Sequence, residues 1–317
     1  MCLVLGPRPA VLLAMHQHQG LASLVDRFDA FVLDQWGVLH DGKRLYPDVL
    51  NTMQRLKDAD KKLLMLSNSS KRKTSSLKGL AKVGIDPYAF FDGDVVTSGE
   101  VAWQQLSMGK GKRQRVFVLG NGEDDVEYVE SLGPGVAALE EDVEEATLVL
   151  ARGTFSVGTR RRFASADETL ASAEMEAALC TLSRRGVPML VSNPDLHRPG
   201  SGAPMPGQIA ARYADLGGAV EFIGKPHAAV FDACMQLLAA DLSRDRVCMV
   251  GDSLGHDVLG AARYGLGSCW IMNGVHAAEL GTTEGAPRAG DPALIETTLQ
   301  RNGGEVRPQF AVPAFQW

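Results

Sequence analysis

The sequence predicts an α/β fold in which one parallel sheet carries most of the chain and a smaller α/β domain is inserted into it. Three observations predict this. Short apolar runs alternate with segments whose apolar residues recur at helical spacing, which is the rhythm of β–α–β units rather than of hairpins. Several runs are apolar without alternation, as expected for strands covered on both faces. The chain has 317 residues, long for a single core, and its strand–helix rhythm restarts after residue 106.

The first strand is Ala30 to Leu33, running straight into Asp34-Gln35-Trp36-Gly37, with the turn signal His40-Asp41-Gly42 just behind it. From Pro47 to Asp60 the residues Val49, Leu50, Met53, Leu56 and Ala59 keep helical spacing, and Pro47 suits a first turn. Lys62 to Leu66 is the second strand and ends on Ser67-Asn68-Ser69-Ser70. Four small polar residues in a row before a helix place hydroxyls and backbone N–H groups at its N-terminus, an anion site, where a plain cap needs only one. Thr74 to Val83 is that helix, closed by Gly84, and Ser98 to Leu106 is the next. After the polar linker Gly109 to Arg113 come strands at Arg115 to Gly120, Ala146 to Leu150 and Pro188 to Val191, with a helix from about Glu168 to Arg185. The segment Arg198 to Gly207, rich in Pro and Gly, is a linker. Beyond it lie the helix Gly207 to Leu216, the strand Val220 to Ile223, the helix Ala228 to Ala240, the strand Arg246 to Val250, the helix Val258 to Tyr264 and the strand Ser268 to Met272. The tail from Thr282 is expected to lie along the domain surface, with partial disorder as the alternative. This divides the chain into a leader, residues 1–24, a core domain of residues 25–105 plus 204–317, and an inserted domain of residues 106–203.

Composition narrows the function classes. A hydrophobic share of 45% with 22% charged residues excludes disordered and fibrous chains. The net charge of −6, with no dominant basic block, disfavours nucleic acid as partner, and the clusters Lys71 to Lys73 and Arg160 to Arg162 are expected on solvated faces. The five cysteines form no CxxC pair, which points to neither zinc nor a disulfide framework and suits a reducing compartment. No apolar run is long enough for a membrane span. A cytoplasmic location is expected; Arg8 and the late first acidic residue, Asp26, leave an organellar transit segment open.

Four strands end in polar clusters: Asp34, the run Ser67 to Ser70, Lys225 in Gly224-Lys225-Pro226, and the pair Asp252 and Asp257. In one parallel sheet, right-handed crossovers bring such ends to the same carboxyl edge. Two strand-end carboxylates with backbone carbonyl help suit an octahedral Mg²⁺, while Lys225 and Ser67 supply a positive charge and a hydroxyl to hold a phosphoryl group as a carboxylate attacks it.

These stretches, in this order, resemble the four motifs of the haloacid dehalogenase (HAD) superfamily. The insertion between the second and third motifs, with Ser192-Asn193-Pro194-Asp195 near its end, is similar to that of the class IIA, NagD-like members with a C2-type cap. The resemblance covers about residues 25 to 280. It implies a Rossmann-like core with a cap domain and a Mg²⁺-dependent hydrolase acting on a small phosphorylated metabolite through an aspartyl phosphate. By the resemblance Asp34 is nucleophile and metal ligand, Asp252 the second carboxylate ligand, and Trp36 a ligand through its backbone carbonyl. Ser67 binds the phosphoryl oxygen with Asn68 beside it, Lys225 holds the phosphoryl group and the nucleophile, and Asp257 supports Lys225 or a metal-bound water. Arg152, Asn193, Asp195 and His197, at or beyond strand ends of the insertion, are the candidates for facing substrate. A homodimer is compatible with the pattern.

Family phosphatases usually carry a second aspartate two residues after the nucleophile, where it protonates the leaving oxygen and then activates water. This chain has Trp36 there, and an indole N–H does neither. Loss of acid–base help of about 10² to 10⁴ in rate slows turnover without preventing phosphate binding. The expectation is therefore a phosphatase-like hydrolase that is slow at Trp36. The alternative is a catalytically weak or inactive phospho-ligand-binding or interaction protein on the same scaffold. His40, Asp41 and His256 are the nearby groups that could substitute, each also suited to a turn or cap. Replacing Trp36 is expected to cost several kcal/mol, roughly the 3 to 5 of a buried aromatic.

Overall fold

The computed structural model describes residues 15–109, 113–238, 242–304 and 306–317. Two seven-stranded sheets organise them. The first runs His16–Gln17, Phe310–Val312, Gly267–Ile271, Val247–Gly251, Ala30–Leu33, Lys62–Ser67, Val95–Thr97, and every neighbouring pair is parallel. Its central strands read as unbroken apolar runs because both faces are covered. Ala30 and Val32 enter one core cluster, Phe31 and Leu33 the one on the opposite face, and all four are fully buried. Each large apolar side chain buried in this way contributes about 1.5 to 3 kcal/mol.

The second sheet has parallel strands Val220–Phe222, Met189–Val191, Leu148–Ala151 and Gln114–Gly120, with Ala137–Leu139 alongside the last. Two short antiparallel strands, Ser156–Val157 and Arg161–Arg162, extend its edge. One apolar cluster runs from Val32 and Leu64 of the first sheet through Val101 and Ala102 of helix Ser98–Ser107 to Val116 and Leu190 of the second. The two sheets are thus joined by packed side chains as well as by chain crossings.

Several sequence expectations change. The return to the first sheet was expected at residue 204. Instead Val220–Phe222 pairs in parallel with Met189–Val191, and helix Pro206–Asp215 packs on that same sheet, so both lie with the second sheet. A Pro/Gly-rich stretch marks a loop, and only strand pairing says to which sheet the chain next returns. The helix expected over about 168–185 is two helices, Ala166–Ala171 and Ala173–Arg184, because the Ser172 side chain caps the second by accepting from Met175 N–H. The tail is not a surface strap. Phe310–Val312 is a strand between Gly267–Ile271 and His16–Gln17, Ala311 and Val312 are fully buried, and the Trp317 amide donates to Asp48 at 3.1 Å. The leader, residues 1–24, was expected to be loosely structured and to end in a short helix, and a one-turn 3₁₀ helix, Leu21–Leu24, does end it. Residues 1–14, and with them much of any transit segment, lie outside the described residues. From His16 the chain pairs with the tail strand, and Leu21 and Leu24 are fully buried. Among the described residues no helix is long and apolar enough to cross a membrane.

Candidate active site

Three adjacent strand ends of the first sheet start the site. Val250 is in register with Leu33, and Leu33 with Met65, so the residues just beyond these strands come level at the carboxyl edge. There Asp34 donates its backbone N–H to Val250 O at 2.9 Å, Asp252 follows Gly251, and Ser67 and Asn68 follow Leu66. A π-helical turn, Leu254–Val258, folds Asp257 back beneath Asp252, and the Asp257 Oδ2 accepts the Ser253 N–H at 2.9 Å. Carboxylate oxygens of Asp34, Asp252 and Asp257 all lie within 4.8 Å of one another.

Lys225 reaches the cluster from elsewhere. It was expected at the end of a strand in the same sheet as Asp34; its strand, Val220–Phe222, belongs to the second sheet. The carboxyl edge of that sheet faces the carboxyl edge of the first, so the lysine still arrives. Lys225 Nζ sits 2.6 Å from Asp34 Oδ1 and 2.7 Å from Asp257 Oδ1, with the lysine side chain 3% exposed. Hydrophobic patterning reports that a strand ends in a sheet, not which sheet, and two facing edges serve as well as one.

Electrostatics define what the cluster lacks. Three buried or half-buried carboxylates face one ammonium. Burial pushes the Asp34 carboxyl up to about 7, against the opposing pull of Lys225 and with a further push from Asp257. Burial also raises Asp252 well above the carboxylate range, and the charges of Asp34 and Asp257 add to the effect. For Lys225 burial alone would lower the value, but Asp257 and Asp34 outweigh it and hold the ammonium charged. A divalent cation would balance the remaining negative charge. The donor set fits one, since hard carboxylate oxygens converge and the Trp36 carbonyl accepts no hydrogen bond among the described residues.

Glycines make room for the Asp252 carboxylate. A Cβ on Gly37, which has φ +74°, would lie 1.8 Å from Asp252 Oδ2, and one on Gly274 would lie 2.3 Å from Asp252 Cβ. Gly37→Ala is therefore expected to displace Asp252 and to weaken divalent-metal affinity by roughly 10- to 100-fold, read by calorimetric titration.

Trp36 stands apart from the buried groups. It is 40% exposed, its ring meets the His40 ring edge-on at 5.8 Å, and it packs over the backbone of Gly42. The expectation of a buried indole is thus corrected, because the turn Trp36 to Leu45 leaves the ring on its outer side. With Gly37, Asp252 and Val275 it lines a cavity of about 60 Å³ whose lining also includes Pro199 and Gly200 from the loop after Met189–Val191. That is room for roughly two waters. A groove of about 620 Å³ around Leu77, Ile85 and Tyr88 includes none of the predicted site residues.

His40 and Asp41 serve the turn. His40 is 2% exposed, with Nδ1 accepting the Gly42 N–H at 2.8 Å and Nε2 beside Gln35 Nε2 at 3.0 Å. The Asp41 carboxylate accepts the amides of Lys43 and Arg44 at 2.8 and 2.7 Å.

The four residues expected to face substrate separate. Asp195 reaches the site and hydrogen-bonds Asn68 at 2.8 Å, and Asn193 shapes the turn by accepting the Asp195 N–H at 3.0 Å. His197 is exposed, beside Gln208 at 3.3 Å, and does not join the cluster. Arg152 is fully buried behind it, ion-paired with Asp124 at 2.8 Å and with Asp125, and donating to Ser70 O at 3.2 Å. A strand-end arginine in an insertion signals charge, but its partners, Asp124 and Asp125 on the connection leaving the paired strand Gln114–Gly120, were not legible as such. Arg152→Met is expected to destabilise the fold by about 3 to 5 kcal/mol, since Asp125 is left buried without its partner. In the folded fraction the KM for an aryl phosphate should be unchanged. Chemical denaturation and steady-state kinetics check the two parts.

Sequence reasoning did not assign Val275 and Trp270. The Val275 N–H donates to Asp252 Oδ2 at 2.7 Å, and Trp270 Nε1 donates to Asp252 O at 2.9 Å. The Gly274 that follows a strand end was the available signal.

Family models, relatives and solved structures match this chain. A model described as haloacid dehalogenase-like hydrolase matches residues 31–134, and a second, HAD-hydrolase-like model matches residues 222–297. A 4-nitrophenylphosphatase of Schizosaccharomyces pombe is 27% identical over 278 residues, covering 80% of this chain and 87% of that protein. The crystal structure of a haloacid dehalogenase-like hydrolase from Brucella suis superposes with TM-score 0.71 at 26% identity, covering 93% of this chain and 98% of that one. A structure described as a putative nagD protein gives TM-score 0.62 at 26% identity, covering 87% and 99%. With the two hydrolase models matching residues 31–134 and 222–297, and the chain's strand-end carboxylates and lysine falling within them in motif order, the chain belongs to the haloacid dehalogenase-like hydrolases, in their NagD-like class IIA branch.

Proposed function

We propose that this chain is a Mg²⁺-dependent phosphatase for a small phosphorylated metabolite, working through an aspartyl phosphate on Asp34 and turning over slowly. The observation that carries the reading is Lys225 Nζ held between Asp34 and Asp257, with Asp252 within 4.8 Å of both carboxylates. Relatives named 4-nitrophenylphosphatase, chronophin and phosphoglycolate phosphatase support the same reaction class.

In this reading Asp34, Asp252 and the Trp36 carbonyl would hold the metal, which would supply charge neutralisation for the attack of a carboxylate on a phosphate ester. An Asp34 oxygen attacks phosphorus, the ester P–O bond breaks, and the leaving oxygen departs with its electron pair and takes a proton from water. Lys225 and Ser67 hold the phosphoryl oxygens during transfer. Water then attacks the aspartyl phosphate, which releases phosphate and frees Asp34. Both half-reactions lack a proton carrier at position 36. Esters whose leaving oxygen is stable as an anion are therefore favoured, and the second half-reaction limits turnover.

The second reading is a phospho-ligand-binding protein with little or no turnover, favoured by the same Trp36. Hydrolysis of 4-nitrophenyl phosphate separates the two, with native protein and Asp34→Asn compared in Mg²⁺ and in EDTA. Mg²⁺-dependent release of 4-nitrophenol that Asp34→Asn loses supports the enzyme. Rates that do not differ between the two proteins sink it.

A further inference from the structure

The Asn193-Pro194-Asp195 turn and Lys225 leave the second sheet side by side, because Met189–Val191 and Val220–Phe222 are neighbouring parallel strands. The Asn68 side chain, from the first sheet, plugs the gap between them. Its Oδ1 accepts the Lys225 N–H at 2.7 Å, and its Nδ2 donates to Lys225 O at 3.2 Å and to Asp195 Oδ1 at 2.8 Å. Asn68 is 6% exposed and Lys225 2%. The packing around the plug is close. A Cβ on Gly224 would lie 2.5 Å from Pro194 Cδ and 2.9 Å from Asn68 Oδ1. Asp195 has a second tie to the first sheet, with His256 Nδ1 3.5 Å from its Oδ1. His256 sits next to Asp257, which holds the Lys225 ammonium from the other side.

We propose that Asp195 is a positioning residue for Lys225. Together with the Lys225 backbone it forms a three-point socket for the Asn68 amide, so that docking of the inserted sheet sets the lysine on Asp34. A carboxylate is acceptor-only, and its charge strengthens the hydrogen bond it receives. It therefore fixes which end of the Asn68 amide faces the Lys225 N–H. An amide turned the other way would set a donor against a donor there, and the lysine stem would lose the backbone anchor that aims Nζ. Asp195 touches no reacting atom in this scheme; its effect passes through Asn68 to Lys225. The kinetic consequence rests on the proposed phosphatase reading, whereas the anchoring does not.

Two measurements on the full chain test it. In hydrogen exchange followed by mass spectrometry, Asp195→Ala should speed exchange of the Lys225 amide by about tenfold or more while the thermal midpoint stays near the native one. Asp195→Asn keeps an acceptor oxygen and should restore most of the protection. In kinetics with 4-nitrophenyl phosphate and Mg²⁺, Asp195→Ala should lower kcat by roughly 10- to 100-fold, the scale of a small misplacement, with less change in KM. In a Lys225→Met background the same substitution should cost less than about twofold further, since the group it positions is gone. Unchanged Lys225 exchange in Asp195→Ala overturns the anchoring, and so do fully additive losses in the double variant. Altered exchange in a protein whose native form hydrolyses nothing upholds the anchoring and rejects only the phosphatase reading.

Discussion

Asp34→Asn is expected to reduce Mg²⁺-dependent phosphate-ester hydrolysis by roughly 10³-fold or more, to the rate seen in EDTA, because the amide cannot attack phosphorus. The substitution keeps the shape of the side chain and leaves Lys225 paired with Asp257 at 2.7 Å, so loss of activity would not reflect loss of fold. Stability should move the other way. In the metal-free protein the Asp34 carboxyl is pushed up to about 7, chiefly by burial, well above the ordinary carboxylate range. A raised carboxyl contributes stability that is fully present below the unfolded value and is lost as pH rises through the folded one. Asparagine does not titrate. In EDTA the thermal midpoint of Asp34→Asn should therefore exceed the native one at pH 8, and the difference should shrink as pH falls toward about 4. Thermal scans across that range check the sign. A native protein that gains stability from pH 5 to pH 8 relative to the variant contradicts the proposed electrostatics of the cluster.

The second large effect belongs to Trp36. Mixing the native protein with excess 4-nitrophenyl phosphate and Mg²⁺ should give a burst of 4-nitrophenol close to one equivalent per chain, followed by slow steady turnover. An aryl leaving group needs no proton, whereas aspartyl phosphate hydrolysis needs a base that Trp36 does not supply. Trp36→Asp should raise the steady rate by about 10² to 10⁴, the usual worth of a placed acid–base group, and flatten the dependence of rate on leaving-group acidity. The variant is practical because Trp36 is 40% exposed and lies on a turn, away from the apolar clusters. Its cost should fall well below the roughly 3 to 5 kcal/mol of a fully buried aromatic. A native protein with no burst and a steady rate unaffected by Trp36→Asp would show that the proton carrier sits elsewhere on the chain.

The two predictions probe different halves of one motif. Asp34 sits at the end of a strand buried on both faces, and its position is fixed by backbone pairing with Val250. Trp36, two residues later, belongs to a turn whose shape is set by Gly37 at φ +74° and Gly42 at φ +89°. The half-exposed Trp36 ring on that turn can change without disturbing the sheet. On the proposed reading, position 36 can therefore lack an acid–base group while the strand-end carboxylates and Lys225 keep their places.

The sequence by itself determined the strand ends. Apolar runs closing on Asp34, Ser67 and Asp252 are local patterns, and a strand covered on both faces must be apolar wherever it lies in the sheet. It also determined the chemistry those ends offer, since carboxylate, hydroxyl and ammonium are properties of residue type. Only the tertiary structure decided which sheet delivers Lys225, that Arg152 turns inward to Asp124 and Asp125, and that Asp195 rather than His197 reaches the cluster. It also moved residues 206–222 to the second sheet and made a strand of Phe310–Val312. The physical reason is the same in each case. These assignments depend on pairings between residues from tens to nearly 300 positions apart, and no local period or composition records which distant backbone a strand will find.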